Sequence, residues 1–140
     1  GLQALSNDLD EPTKLNPPLE PKTQETIEES QQQKLNELMK QGFYRTEHLT
    51  IKTLANALDM PEYKTRALIN QTLGYRNFND YINQLRIQEA AQRLINEPDT
   101  PILNISLDVG YRTLSSFNRA FKDIKDTTPT EHRTQTSVPR

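Results

Sequence analysis

The chain has 140 residues, a length that suits one domain or a small domain with a tail. It has no cysteine and only two histidines, which excludes disulfides, thiolate metal sites and a histidine-rich metal cage, and no apolar run is long enough for a membrane-spanning helix. The net charge of −2 is unevenly distributed, because residues 1–41 carry −4 and the remaining residues carry +2, so the C-terminal part keeps the charge balance that suits a nucleic-acid partner.

The first 22 residues contain four of the nine prolines and few apolar residues, with no helical period. Such a segment cannot bury enough apolar surface to offset the entropy lost on ordering. We therefore predict a flexible linker or tail over 1–22, and a second tail over 134–140. Because the chain starts with Gly1 rather than Met, we expect a fragment of a longer protein.

A helix is predicted over 23–41, which is rich in Glu, Gln and Lys and is followed by Gly42. Its apolar stripe is thin, which favours a packing helix over a dimerising coiled coil. From Thr50 the pattern sharpens into two short helices over about 50–74, with Pro61 suited to the first position of the second helix. Their inward positions are Ile51, Leu54, Ala55 and Leu58, then Thr65, Leu68, Ile69 and either Thr72 or Leu73.

A longer helix is predicted over about 79–96, and Pro98 follows it. A second helix pair follows over about 102–125, with Gly110 in its turn and Thr113 as the cap of its last helix. No segment alternates with a period of two residues, so the fold class is all-α.

The two helix pairs repeat one apolar pattern, with an offset of 51 residues in the first helix and 52 in the second. The second pair's inward residues are Ile102, Ile105, Ser106 and Val109, then Phe117, Ala120, Phe121 and Ile124. Two short helices joined by a tight turn, with the second longer and more basic, form a helix-turn-helix. We predict two such units on one linker helix.

The outer face of each second helix follows from the same geometry. It comprises Tyr63, Arg66, Ala67 and Asn70 in the first unit, and Ser115, Asn118, Arg119 and Lys122 beside Leu114 in the second. Arginine pairs with guanine, asparagine with adenine, and small apolar groups contact the thymine methyl. Nearby cations suited to phosphate are Lys64, Arg76, Arg112 and Lys125, while Arg86 suits either a structural ion pair or a phosphate contact.

Polar faces also occur on ordinary surface helices, so the alternative is an all-α protein-interaction module without DNA binding. No phosphate loop, paired carboxylates or nucleophile–base pair is present, so we predict no catalytic residues, no cofactor, no metal and no enzymatic activity.

The stretch Leu49–Arg133 resembles the DNA-binding domain of AraC/XylS-type bacterial transcription regulators. The resemblance rests on LTIKTLANAL, on NFNDYINQLRIQEAAQRLI and on PILNISLDVGYRTLSSFNRAFK followed by TTPTEHR. Asp59 and Asp126 stand where the family usually has glycine, and Thr65 and Ser106 stand in place of leucine and alanine. Asp tolerates left-handed backbone, so we expect both turns to form, around less tightly packed cores.

The resemblance implies a double helix-turn-helix domain over 23–133 that reads adjacent major-groove segments of a promoter or operator. It implies base reading by Tyr63, Arg66, Ala67 and Asn70, and by Leu114, Ser115, Asn118 and Arg119. We also expect RNA polymerase as a further partner, a monomeric fragment, and a full-length protein that dimerises through a missing N-terminal domain. We expect this bacterial protein in the cytoplasm. In an alternative arrangement, the proline-rich segment tethers the domain of the full-length protein to a membrane-embedded sensor.

Overall fold

The computed structural model describes residues 23–136, and every regular element in that range is helical. The elements are α1 Gln24–Lys40, a 3₁₀ turn Phe43–Arg45, α2 Ile51–Leu58, α3 Glu62–Ala67 continued by a π-helical turn Leu68–Thr72, α4 Phe78–Asn96, α5 Ile102–Asp108, α6 Leu114–Lys125 and α7 Pro129–Thr136. The prediction of an all-α fold with two helix-turn-helix units on a long linker helix is confirmed. The predicted tail over 1–22 and residues 137–140 lie outside the described residues.

The described residues divide between two segments after Gln31. In the N-terminal segment, Thr23 Oγ1 accepts a hydrogen bond from the backbone N–H of Thr26 at 3.1 Å, which caps the start of α1. The other segment starts inside α1 and includes all later elements, and Gly42 follows α1 in the left-handed conformation, as predicted. None of the described helices is long and apolar enough to cross a bilayer.

The first helix pair, α2 and α3, has the predicted start and turn. Thr50 Oγ1 accepts from the backbone N–H of Thr53 at 3.1 Å, and Asp59 adopts a left-handed φ of 56° after α2. Pro61 is the N-cap of α3 rather than its first helical residue. The buried core residues here are Leu35, Met39, Leu54, Leu58, Leu68, Ile69, Tyr81 and Ile82.

The second helix of this pair changes geometry before it ends. Leu68–Thr72 is π-helical, and the backbone N–H of Leu73 donates to Leu68 O at 3.0 Å. The wider turn shifts the side chains that follow, so Leu73 packs against the core while Thr72 is exposed. Of the two inward residues that the sequence left open, the structure selects Leu73.

The second pair, α5 and α6, encloses an aromatic core. Thr113 Oγ1 accepts from the backbone N–H of Ser116 at 3.1 Å, as predicted, and Asp126 ends α6 with a left-handed φ of 62°. The buried core residues of this pair and the adjoining half of α4 are Ile87, Ala90, Ala91, Leu94, Ile105, Val109, Tyr111, Phe117, Ala120 and Phe121.

The buried hydroxyls of Thr65 and Ser106 both have backbone acceptors within the preceding four residues. Thr65 Oγ1 donates to Pro61 O at 3.1 Å, and Ser106 Oγ donates to Leu103 O at 2.7 Å. Both residues are 0% exposed. Because each hydroxyl is bonded to a preceding carbonyl, neither departure from the family pattern leaves an unsatisfied polar group in a core.

α7 was not predicted, and it continues three residues past the predicted domain end at 133. Thr128 and Glu131 form a capping box, in which each side chain accepts from the other residue's backbone N–H at 3.1 Å. Arg133 fastens the helix to the end of α4 through Nε to Leu94 O at 2.9 Å. The Thr-x-x-Glu spacing was the sequence signal for this helix.

Candidate nucleic-acid interface

The outer face of α3 lies opposite its buried residues, as the sequence predicted. Thr65, together with Leu68 and Ile69 in the π-helical turn, is buried, which turns the opposite side of the helix to solvent. Tyr63 is 70% exposed, Ala67 is half-buried and Lys64 is exposed. The face therefore combines an aromatic ring, a small apolar group and cationic side chains.

Arg66 and Asn70 differ in how far their polar groups are already used. Arg66 Nη2 lies 3.7 Å from Glu62 Oε1, and both side chains are largely exposed, so this pair is weak and the guanidinium can exchange partners. The Asn70 amide nitrogen donates to the backbone oxygens of Tyr75 and Arg76, each at 3.0 Å. These bonds hold the turn after the helix and engage the Asn70 amide nitrogen.

α6 presents a longer outer face because it is a regular α-helix over its whole length. Phe117, Ala120 and Phe121 are buried on its inner side. Leu114 is 39% exposed at the start of the helix. The other residues of the predicted face, Ser115, Asn118, Arg119 and Lys122, are exposed, as is the nearby cation Lys125.

The cations around the two faces are solvent-exposed. The Arg76 side chain is 81% exposed, and its Nη2 is 3.8 Å from Asp80 Oδ1. Lys122 Nζ donates weakly to Asp126 O at 3.5 Å, and Arg112 is exposed beside the start of α6. Such long and exposed contacts contribute little free energy, so these cations can turn toward phosphates.

Arg86 is buried, so it does not make the phosphate contact that was one of its two predicted roles. Its side chain is buried, and the residue is only 9% exposed. Nε donates to Tyr44 O at 2.7 Å and Nη2 donates to Thr46 O at 2.8 Å. Burial lowers the pKa of its guanidinium. The structure therefore gives Arg86 a role inside the protein, through carbonyls rather than an ion pair.

The sequence alternatives for Arg86, a structural ion pair or a phosphate contact, did not include bonds to backbone carbonyls. The signal was positional: Ile82, Arg86 and Ala90 lie four residues apart on one stripe of α4, and all three are buried. Tyr111 completes the contact, since its hydroxyl donates to Asn83 Oδ1 at 2.6 Å on the same helix. Burial raises the pKa of the Tyr111 hydroxyl.

A second arginine of α4, Arg93, ties this helix to α5. It makes a bidentate pair with Glu97, through Nε to Oε2 at 2.8 Å and Nη2 to Oε1 at 2.9 Å, and Nη1 reaches Asp108 Oδ2 at 2.9 Å. These bonds hold the pKa of the Glu97 carboxyl below its usual range. Within residues 23–136 no three His, Asp or Glu side chains cluster closely enough to hold a metal ion.

Known proteins resemble the chain across this architecture. A family model described as a helix-turn-helix domain matches residues 54–135. The probable transcription factor PqrA of Proteus vulgaris is 30% identical over 95 residues, which span 68% of this chain and 76% of that protein. A solved transcriptional regulator from Chromobacterium violaceum, with an AraC-type DNA-binding domain, matches with a TM-score of 0.65 and 25% identity over 80% of this chain and 99% of that one.

The chain belongs to the AraC family of helix-turn-helix transcription regulators. The regulatory protein SoxS of Escherichia coli strain K12 is 38% identical over 68 residues, or 49% of this chain, and the match spans 58% of SoxS. The resemblance found in the sequence is thus confirmed at the level of family and fold. Family membership favours DNA over the protein-interaction alternative.

Proposed function

We propose that this AraC-family chain binds duplex DNA in a sequence-specific way through the outer faces of α3 and α6. One observation carries the proposal: in both helix pairs, the second helix exposes polar and cationic residues directly opposite its buried core residues. A helix of this kind fits the major groove, where base edges present distinct donor and acceptor patterns.

In the first pair, Arg66 is the residue best suited to pair with guanine, because its one ion pair within residues 23–136 is long and exposed. Tyr63 and Ala67 offer apolar contact to thymine methyls. Asn70 contributes less, since its amide nitrogen already holds two backbone carbonyls. We assign Lys64 and Arg76 to flanking phosphates.

In the second pair, Arg119 and Asn118 are the corresponding base readers, with Leu114 and Ser115 at the start of α6. Arg112, Lys122 and Lys125 surround them and would hold the DNA backbone. Ser115 is short, and Ser116 Oγ is engaged in the cap of α6. We therefore expect the second pair to read fewer bases than the first.

The linker helix α4 determines how far apart α3 and α6 can contact DNA. α4 has 19 residues, which corresponds to roughly 28 Å at about 1.5 Å per residue. Successive major grooves on one face of DNA are about 34 Å apart. The helix, with the offset of each pair, just bridges that distance, so simultaneous contact is favoured by a modest bend in the DNA.

Selection of bound duplexes from a random DNA pool tests this function. We expect an enriched motif in two parts, one for each helix pair. In titrations, contact with ~5 phosphates should give a slope of roughly −4 to −5 for log K against log salt concentration. A pool that shows no enrichment, or affinity that does not change with salt, contradicts DNA binding.

We further propose that affinity in the cell is raised by dimerisation, because a second linked reader binds at high effective concentration. The chain alone should sediment as a monomer. Fusion of a dimerising coiled coil before Thr23 should raise affinity for a tandem site at least about tenfold. A stable dimer of the unfused chain, or no gain from the fusion, contradicts this part of the proposal.

A further inference from the structure

One buried arginine touches elements that belong to both helix pairs. Arg86 bonds to the backbone oxygens of Tyr44 and Thr46, in the turn that leads into α2. On its other side, Arg86 Cζ lies 5.2 Å from the ring centroid of Tyr111, in the turn between α5 and α6. A cation over an aromatic ring is attracted to it, most strongly where water is excluded.

These contacts join two separate cores. Tyr44 packs against the core of the first pair, whereas Tyr111 is buried in the core of the second. Arg86 lies between them on α4, the helix that both pairs share. The guanidinium fork matters here, because two donors held in one plane bond two carbonyls while the face of the group stays on the ring.

Gly110 shows how closely the two pairs approach at this point. A Cβ at Gly110 would lie 2.9 Å from Arg86 Cζ and Nε, and 3.0 Å from the backbone oxygen of Arg45. Its φ of 116° also disfavours any other residue. The turn of the second pair is therefore pressed against both the arginine and the backbone that the arginine holds.

The turn that Arg86 grips is fixed to α4 by a further residue. Glu89 Oε1 accepts from the Tyr44 hydroxyl at 2.6 Å and from Arg45 Nε at 2.8 Å. The turn is thus held on α4 by the side chains of Tyr44 and Arg45 as well as by the backbone carbonyls of Tyr44 and Thr46. A change at Arg86 would leave this turn on α4 but would loosen its contact with Tyr111.

We propose that Arg86 is a positioning residue: wedged against Gly110 and Tyr111, it sets the angle between the two reader helices and so fixes the spacing of the two DNA half-sites. In its absence the pairs would be joined by α4 and by the close approach of Gly110 to the Arg45 backbone, and each pair could pivot more freely on the helix. The spacing consequence rests on the DNA reading proposed above, whereas the angle between the helices is a property of the protein alone.

The angle is measured without DNA by pulsed electron double resonance between spin labels on α3 and α6. The chain has no native cysteine, so Lys64→Cys and Lys122→Cys place labels at exposed positions on the two helices. We expect a narrow distance distribution that widens about twofold in Arg86→Lys, which keeps the charge but loses the planar fork. A broad distribution in the otherwise unchanged chain overturns the proposal at once.

Gly110→Ala disturbs the same contact through the turn of the second pair. It replaces Arg86→Lys in the experiment if Arg86→Lys folds poorly. Arg93→Lys is the matched control, because Arg93 lies on the same helix and makes three bonds, all to Glu97 and Asp108 on the side of the second pair. We expect Arg93→Lys to lower the melting temperature without widening the distribution. Unchanged widths in folded Arg86→Lys or Gly110→Ala overturn the positioning role.

A spacer series then tests the effect on DNA. Changing the half-site separation by one base pair should weaken binding of the unaltered chain about tenfold, and this penalty should shrink to about twofold in Arg86→Lys. Affinity for each half-site alone should stay within twofold. Equal loss on all DNA sequences would show a stability effect only, while widened distances with no DNA binding at all would leave the geometry supported and the proposed function wrong.

Discussion

The two helix pairs share an apolar pattern but differ in how they are built. The first packs aliphatic residues and the ring of Tyr81 together with Leu35 and Met39 of α1, and its second helix changes from α to π geometry at Leu68. The second packs Tyr111 edge to face on Phe117 and Phe117 at a tilt on Phe121, with His132 of α7 edge to face on Phe121, and its second helix stays regular for 12 residues. The repeated pattern therefore predicts which residues face inward. It does not predict whether the helix that contains them stays α-helical throughout.

The largest expected difference between the two pairs follows from removal of an aromatic core residue of the second pair. Phe117 is 0% exposed and contacts both Tyr111 and Phe121, so Phe117→Ala should lower the free energy of unfolding by about 3–5 kcal/mol. Urea denaturation measures the loss, and amide exchange should show it concentrated in α5–α7. Leu103→Ala, at an exposed site of α5, is the control and should stay within about 0.5 kcal/mol. Uniform exchange across both pairs would show that they unfold as one unit.

The difference between readers should next appear in DNA binding. Arg66→Ala and Arg119→Ala should each cost about 1–3 kcal/mol of binding free energy and relax preference at one base position. We expect Arg66→Ala to cause the larger loss, because the second pair reads fewer bases. Lys122→Ala, a phosphate contact, should weaken all sequences evenly and lower the salt slope by about one. Selection with Arg66→Ala that returns an unchanged motif at full strength contradicts its base-reading role.

The N-caps of α2 and α6 are a feature in which the two pairs are alike, so equal effects are expected there. Thr50 and Thr113 each accept one backbone N–H at 3.1 Å, so Thr50→Ala and Thr113→Ala should each cost about 1 kcal/mol of unfolding free energy. The serine variants keep the hydroxyl and should recover most of this loss. Denaturation without DNA makes the measurement, and a cost confined to one of the two pairs would argue against equivalent caps.

The smallest effect is expected at the capping box of Thr128 and Glu131, which begins α7 directly after the second pair. Hydrogen bonds from Thr128 and Thr127 hold the pKa of the Glu131 carboxyl below its usual range. A lowered folded-state pKa stabilises the fold above the unfolded pKa, and this contribution disappears as pH falls through the folded pKa. The melting temperature of Glu131→Gln should therefore decrease less than that of the unaltered chain as the pH falls from about 5 to 3. Glu47→Gln, at an exposed site, is the control and should decrease as the unaltered chain does. Identical acid curves for both variants would remove the capping contribution.

Much of this fold could be predicted because its signals are local. The caps at Thr50 and Thr113, the left-handed Asp59 and Asp126, and the buried stripes of α2 and α6 all depend on residues within a few positions of each other. The outward faces of both reader helices followed from the same stripes. Their assignment to DNA bases remains a prediction.

The rest depends on contacts between distant parts of the chain. The π-helical turn places Leu73 on the core, a demand of tertiary packing that α-helical periodicity does not contain. Arg86 binds carbonyls about 40 residues earlier in the sequence, which the pattern of α4 alone does not reveal. Asn70 likewise fits a base-reading pattern in sequence, although its amide nitrogen holds the following turn.

The most direct test of the account is guanine methylation interference on a duplex obtained by selection, because methyl groups at guanine N7 lie in the major groove. The account predicts two separate windows of interference on one face of the DNA, about ten base pairs apart. Arg66→Ala should weaken one window and Arg119→Ala the other. A single window that both variants weaken equally, or no interference from guanine N7 methylation at all, would contradict the claim that α3 and α6 read DNA together.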